Sequence, residues 1–222
     1  MTARDWLLDL LFPPKCPFCG RVRDRRGICP DCRRDLPWTE DPDQVQTLPG
    51  GLWCAAPLWY EDLARDGLLR FKFGGAASAA EELGELIAAC AAECFSGEFD
   101  VVSWVPVSGK RLRKRGYDQA RLLAEAACRC WDTRPVRVLR KIRNNPAQSG
   151  LEDAAARRNN VRDVYEALPE TARGRRILLL DDIVTTGSTL GECARVLRQA
   201  GARSVVCGAA ARARGKLRKE TE

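Results

Sequence analysis

One segment near the carboxyl end of the chain restricts the possible folds more than any other. Residues 177–180 read Ile-Leu-Leu-Leu and are followed by Asp181 and Asp182, a hydroxyl- and glycine-rich turn at 185–189, and a helical pattern from Leu190. A continuous apolar run bounded by acids and a turn is typical of a strand that is buried on both faces of a parallel sheet. The segment therefore predicts a strand–turn–helix unit of an α/β domain.

Strand and helix patterns alternate over most of the chain. Strands are predicted at 52–60, 99–106, 136–139, 176–180 and 204–209, and helices at 62–71, 76–95, 119–131 and 190–200. Because Pro57 lacks an N–H, the first of these strands is expected at an edge of the sheet. The alternation implies right-handed βαβ units and a mostly parallel sheet flanked by helices.

The chain has 222 residues, which is enough for one full-sized domain and a small module. We predict four parts: an N-terminal helix and metal-binding module at 1–36, a polar and turn-rich linker at 37–51, the α/β domain at 52–211, and a charged tail at 212–222. Within the first part, residues 6–12 are predicted to form a short amphipathic helix that docks on the body of the protein.

The turn after the acid pair has the composition of an anion-binding site. Backbone N–H groups at a helix N-terminus bind phosphate, and a glycine lets the backbone approach it closely. The candidate phosphate ligands are Thr185, Thr186, Gly187, Ser188 and Thr189. Asp181 and Asp182 lie one turn away, where carboxylates suit the hydroxyls of a sugar, so the segment predicts binding of a ribose 5-phosphate. The alternative is a plain connection in which Thr and Ser serve only as helix N-caps.

A second candidate anion site follows the predicted strand at 99–106. A small-residue turn leads into five cations, and the candidate ligands there are Ser108, Gly109, Lys110, Arg111 and Arg115. So many positive charges indicate an anion of higher charge than one phosphate. A solvated basic loop and a nucleic-acid-binding patch are the alternatives, since residues 108–143 hold twelve Lys or Arg against three Asp or Glu.

Four of the eleven cysteines form a metal-ligand pattern. Cys16, Cys19, Cys29 and Cys32 make two CxxC pairs that are separated by nine residues. Four thiolates on two such turns close a tetrahedral site with no open position, which predicts structural zinc in a small zinc-ribbon module. Redox-active CxxC pairs and an iron–sulfur cluster are the alternatives. The other seven cysteines lie in apolar segments and are expected to fill the core.

The absence of histidine restricts the chemistry. It excludes Ser-His-Asp and Cys-His nucleophile pairs, HExxH zinc peptidases and imidazole general bases. No stretch approaches the roughly 20 apolar residues that a membrane helix needs, and no cleavage site of a secretory signal follows residues 6–12. We therefore expect a cytoplasmic protein without a membrane span, in which thiols stay reduced.

Residues 177–189 resemble the phosphoribosyl pyrophosphate (PRPP) signature of type I phosphoribosyltransferases. The resemblance implies that Asp181 and Asp182 are catalytic and bind the ribose 2′- and 3′-hydroxyls, and that residues 185–189 bind the 5′-phosphate. Residues 105–120, VPVSGKRLRKRGYDQA, resemble the pyrophosphate loop of the amidotransferase-type enzymes. In such enzymes Mg²⁺ bridges the pyrophosphate oxygens, and a mobile loop in the position of residues 143–160 closes over PRPP. A surface linker is the alternative for that last segment.

The chain has an amphipathic N-terminus, a four-cysteine module and then a phosphoribosyltransferase-like domain. In this order of parts it resembles the ComF family over nearly its whole length, and residues 68–74 also resemble that family. Asp118 departs from it, since related sequences commonly carry Asn there. The resemblance implies a role in DNA uptake by competent bacteria, beside a helicase on single-stranded DNA. Two functions follow: transfer of ribose 5-phosphate from PRPP to an unidentified acceptor, or non-catalytic binding of PRPP, a nucleotide or single-stranded DNA. An edge strand and the basic loops are compatible with formation of a homodimer.

Overall fold

The computed structural model describes residues 13–74, 77–143 and 161–214. The predicted helix at 6–12, all but the first residue of the predicted loop at 143–160, and the end of the charged tail lie outside these residues. None of the helices in the described ranges is long and apolar enough to cross a membrane.

The helices and strands alternate as the sequence predicts. The helices are α1 Pro30–Asp35, α2 Asp62–Phe73, α3 Ala80–Cys94, α4 Gly109–Arg115, α5 Gln119–Cys130, α6 Pro169–Ala172 and α7 Ser188–Gln199. The strands are β1 Val45–Leu48, β2 Leu52–Ala55, β3 Leu58–Trp59, β4 Val101–Trp104, β5 Leu139–Lys141, β6 Tyr165–Ala167, β7 Arg176–Val184 and β8 Ser204–Arg212. A single 3₁₀ turn precedes α3.

Six of the strands form one sheet in the order β1-β2-β8-β7-β4, and β3 continues along β8 beyond the end of β2. Every pairing in this sheet is parallel except that of β1 with β2. Strands β5 and β6 form a separate antiparallel pair. The mostly parallel sheet predicted from the sequence is confirmed.

Strand β7 contributes side chains to an apolar cluster on each face of the sheet. Leu178 and Leu180 pack in one apolar cluster with residues of α3 and α5, whereas Ile177 and Leu179 pack in a second cluster with residues of α7. All four side chains are fully buried. Burial of each contributes about 1.5–3 kcal/mol, which explains why the strand needs an unbroken apolar sequence.

Two predictions about the first strands need correction. Residues 52–60 do not lie at an edge, because β1 pairs beside β2, with Val45 opposite Ala55. Pro57 falls between β2 and β3, where its missing N–H interrupts no ladder. Strand β1 lies within 37–51, which the turn-rich sequence predicts as a linker. Its four residues, of which only Leu48 is buried, form too short a pattern to indicate a strand.

The cysteine-containing module packs directly on the α/β domain. Phe18, between the first two cysteines, is fully buried and lies against Gly67 of α2. The backbone N–H of Gly27 donates to Glu82 Oε1 of α3 at 2.9 Å. The module and the domain therefore share one apolar cluster.

Helices α3 and α5 cross at a point where only glycine fits. A Cβ atom at Gly84 would overlap the Cβ of Ala126 and would lie 3.0 Å from the backbone nitrogen of Ala127. Both partners are buried and belong to helix α5, so neither can move without shifting the helix.

We predict that Gly84→Ala lowers the free energy of unfolding by about 1–3 kcal/mol, because the added methyl group forces α3 and α5 apart. Gly191→Ala is the matched control, since it also lies inside a helix but its nearest neighbour is Pro49 O at 3.8 Å. That variant should be neutral or more stable by up to about 1 kcal/mol. Urea unfolding followed by circular dichroism measures both; equal effects of the two substitutions would contradict the steric argument.

Candidate functional site

The acid pair lies at the carboxyl end of the parallel sheet. Strand β7 continues to Val184, whereas its neighbour β4 ends at Trp104, opposite Leu180. Asp181 and Asp182 therefore extend beyond the shorter strand, and both line a cavity of about 430 Å³. Ligand sites of α/β proteins are found at this edge of the sheet.

The two carboxylates differ in their surroundings. Burial and the neighbouring Asp182 carboxylate raise the pKa of Asp181 to about 8. Asp182 forms an ion pair with Lys72, whose Nζ lies 2.8 Å from Asp182 Oδ2. The other oxygen, Oδ1, accepts a hydrogen bond from the backbone N–H of Ile183 at 2.8 Å. Both oxygens of Asp182 are thus held in one orientation.

The turn at 185–189 forms a small concavity at the start of α7. Gly187 adopts a left-handed φ of +71°, and a Cβ there would lie 2.7 Å from Leu48 Cδ2. Thr186 Oγ1 lies 2.8 Å from Ser188 Oγ and accepts from the Ser188 N–H at 3.4 Å. A cavity of about 20 Å³ opens here. Its lining includes four of the five candidate phosphate ligands, namely Thr185, Gly187, Ser188 and Thr189.

The basic segment is a helix rather than the small-residue turn and loop that the sequence predicts. Ser108 is its N-cap, and the Ser108 Oγ accepts from the Arg111 N–H at 3.3 Å. The spacing of four residues places Arg111 and Arg115 on one face, and both line the large cavity. Gly109 and Lys110 are exposed and are not part of its lining. The structure thus brings two of the five candidate residues to the pocket.

Three lining residues were missed as site residues in the sequence. Lys72 lies on α2, and Lys141 and Tyr165 face each other on β5 and β6, with Lys141 Nζ 3.2 Å from the Tyr165 hydroxyl. Burial and the charge of Arg111 lower the pKa of Lys141 to about 8. The surplus of cations in 108–143 was the sequence signal for Lys141, but charge alone does not indicate which cations face a pocket.

Asp118 is part of the framework around the pocket. Its Oδ1 accepts from the Arg121 N–H at 3.3 Å and caps α5, and its Oδ2 accepts from the Val107 N–H at 3.2 Å. Burial raises the pKa of Asp118. An Asn side chain offers one carbonyl oxygen for these bonds, so Asp is the residue that can serve both N–H groups with separate oxygens.

The four predicted metal ligands converge on one point. The Sγ atoms of Cys16, Cys19, Cys29 and Cys32 all lie within 4.8 Å of one another. Cys19 Sγ and Cys29 Sγ are 3.8 Å apart, and sulfurs bound to zinc at about 2.3 Å in a tetrahedron are separated by about 3.8 Å. Burial raises the pKa of Cys16, but hydrogen bonds from neighbouring groups, such as the Cys29 N–H, outweigh it and lower that pKa to about 7. The donor set and spacing fit a structural zinc ion.

Two family models match the chain. Residues 112–222 match the Phosphoribosyl transferase domain, and residues 7–43 match the Double zinc ribbon domain. The chain is 29% identical to Competence protein ComFC of Bacillus subtilis over 84% of its own length and 72% of that protein. It is 33% identical to Competence protein F of Haemophilus influenzae over 49% of its own length and 48% of that protein. The chain belongs to the ComF family.

Further relatives of this ComF-family chain are DNA utilization proteins. The DNA utilization protein YhgH of Escherichia coli K12 is 34% identical over 48% of the chain and 46% of that protein. Among solved structures, glutamine PRPP amidotransferase of B. subtilis superposes with a TM-score of 0.42 and 25% identity, over 60% of this chain and 26% of that one. The family match and the observed sheet confirm the predicted phosphoribosyltransferase-like fold with an N-terminal zinc-ribbon module.

We predict one bound zinc ion per chain, which mass spectrometry of the purified protein under native conditions would count. Cys29→Ser should abolish this binding and lower the melting temperature, because Cys16, Phe18 and Cys32 belong to the shared core. Cys130→Ser is the control, since this exposed cysteine of α5 lies outside the cluster. Zinc retained by Cys29→Ser would contradict the four-thiolate site.

We also predict that Asp181→Asn makes the protein more stable than the wild type at pH 8–9, with a smaller difference towards pH 4. Folding raises the pKa of Asp181 from 3.8 to about 8, so the wild type loses stability as the pH rises through this range. Melting temperatures of the two proteins across pH 4–9 test this. Asp182→Asn should instead make the protein less stable than the wild type, because it removes the carboxylate that pairs with Lys72. A pH-independent difference for Asp181→Asn would contradict the prediction.

Proposed function

We propose that this chain is a phosphoribosyltransferase, which binds PRPP with Mg²⁺ and transfers ribose 5-phosphate to an acceptor. One observation carries the proposal: the acid pair and the turn before α7 border one pocket, which Arg111, Arg115 and Lys141 line as well. Such a pocket offers separate places for a diol, a phosphate and a second, more highly charged anion.

In the proposed complex each group of residues has one role. The side-chain oxygens of Asp181 and Asp182 accept hydrogen bonds from the ribose hydroxyls. The N–H groups and hydroxyls of residues 185–189 bind the 5′-phosphate at the N-terminus of α7. Arg111, Arg115 and Lys141 bind the pyrophosphate, and guanidinium groups suit its paired oxygens. The predicted ligands Ser108, Gly109 and Lys110 contribute the N-terminal turn of α4.

The proposed reaction needs little acid–base chemistry, which suits a chain without histidine. The acceptor forms a bond to the anomeric carbon of the ribose, and the bond from that carbon to the pyrophosphate oxygen breaks with its electron pair. The residues of the chain hold the reactants in line and stabilise the charge on the departing pyrophosphate. Cations at the pyrophosphate end of the pocket serve this purpose.

The pocket also suits Mg²⁺, which binds one or two carboxylates together with substrate phosphates. Asp181 and Asp182 are the carboxylates that line the pocket, and Asp182 is held by Lys72. The pyrophosphate oxygens would therefore supply most of the ligands. When bound, the ion would offset the negative charge of the leaving group.

The relatives are named competence protein and DNA utilization protein, and these names support a role in DNA uptake or use. A second candidate function is binding of single-stranded DNA. It is favoured by the exposed cations of α4, namely Lys110, Arg113 and Lys114, which lie outside the pocket lining. Participation of a helicase, homodimer formation and a cytoplasmic location stay predictions.

We predict that the zinc-loaded protein binds PRPP in the presence of Mg²⁺ and that Asp181→Ala and Asp182→Ala each weaken this binding by at least about tenfold. Isothermal titration calorimetry measures the affinity directly. Asp66→Ala is the matched control, because this aspartate is exposed on α2 and does not line the pocket.

The result separates the two candidate functions. Binding that is lost only in the two pocket variants would support the transferase and justify a screen of acceptors. Absence of PRPP binding by folded wild type would overturn the transferase proposal. A DNA complex formed along the outer cations of α4 would then weaken steeply with added salt.

A further inference from the structure

Lys72 forms an ion pair with one member of the acid pair, although it belongs to neither of the predicted anion sites. Its Nζ lies 2.8 Å from Asp182 Oδ2, and only 26% of its side chain is exposed. The nearby carboxylate of Asp182 raises the pKa of Lys72 against the effect of burial. The charge of Lys72 also offsets part of the rise in the pKa of Asp181.

The end of helix α2 that carries Lys72 is held by the segment between α4 and α5. The last carbonyls of a helix have no partner within it. Here the Phe71 carbonyl accepts from the Tyr117 hydroxyl, and the Lys72 carbonyl accepts from Gln119 Nε2 at 3.4 Å. Gln119 Oε1 in turn accepts from Arg115 Nη1 at 3.0 Å.

The middle of α2 is held by a second contact, with the zinc-ribbon module. Gly67 lies so close to the buried Phe18 ring that a Cβ would approach Phe18 Cδ1 to 2.7 Å. Phe18 lies between two of the zinc ligands, Cys16 and Cys19. Helix α2 is therefore fixed at Gly67 by the zinc-ribbon module and at its C-terminal end by residues 117–119.

We propose that Lys72 is a positioning residue for Asp182 and that Tyr117 and Gln119 set its place by capping α2. Lys72 pairs with Oδ2 of Asp182, and the Ile183 N–H donates to Oδ1. These two contacts fix the orientation of the Asp182 carboxylate. Each oxygen keeps a lone pair for a hydroxyl of the ligand. The inference rests on the proposed function, because the ligand hydroxyls are those of PRPP.

The positive charge of Lys72 is needed because two adjacent carboxylates repel each other. A cation that approaches one of them keeps it ionised and able to accept hydrogen bonds. Tyr117 does not line the pocket, and its hydroxyl instead contacts the end of α2 at the Phe71 carbonyl.

The test compares PRPP affinities, measured with Mg²⁺ by isothermal titration calorimetry, for wild type, Lys72→Met, Lys72→Arg and Tyr117→Phe. We expect Lys72→Met to weaken binding by at least about tenfold, because an uncompensated acid pair loses its ionised, oriented acceptor. Lys72→Arg should recover at least half of this loss in free energy, since it keeps the charge. Tyr117→Phe should give a smaller loss than Lys72→Met.

Arg65→Met is the matched control, since it removes a cation from the exposed face of the same helix. Zinc content and melting temperature confirm that each variant is folded. Wild-type affinity in Lys72→Met would overturn the inference while leaving the proposed function intact, and so would an Arg variant as weak as the Met variant. Wild-type affinity in Tyr117→Phe would overturn the role of the cap. Absence of PRPP binding by wild type would overturn both proposals.

Discussion

Two adjacent carboxylates at the end of a buried strand are the constraint around which this structure is arranged. Two such carboxylates destabilise the folded protein unless one of them is protonated or one of them pairs with a cation. Both responses are present here, since Asp181 has a raised pKa and Asp182 pairs with Lys72. The cation comes from outside the sheet, on α2. The zinc module and the segment after α4 hold this helix, so distant parts of the chain converge on one ion pair.

The anion-binding side of the pocket depends on a different constraint, which is close backbone approach. The turn before α7 needs a glycine because Gly187 has a left-handed backbone and lies against Leu48 of β1. The edge strand β1 thus closes the back of the turn. Residues 45–48 have no clear strand pattern in the sequence. By pairing with β2 they become part of the candidate phosphate site.

The sequence predicts well where one local pattern decides the structure. Strand β7 has an apolar run that only a two-sided burial explains, and the four cysteines have a spacing that suits one metal. The sequence predicts short elements poorly, because their structure depends on residues that are adjacent only in the folded protein. Strand β1 forms only by pairing with β2, and α4 looked like a loop because its many cations mask a helix that Ser108 caps.

The sequence by itself determined the α/β class, the four metal ligands, the acid pair and the glycine-containing turn, since each of these depends on residues close together in the chain. Only the tertiary structure decided which cations reach the pocket. Lys72 and Lys141 come from an outer helix and from a separate two-stranded sheet, and Arg111 and Arg115 were selected from a run of five cations by the helical spacing. A charge acts over distance in space and not along the chain, so its partner is known only when the fold brings the two together.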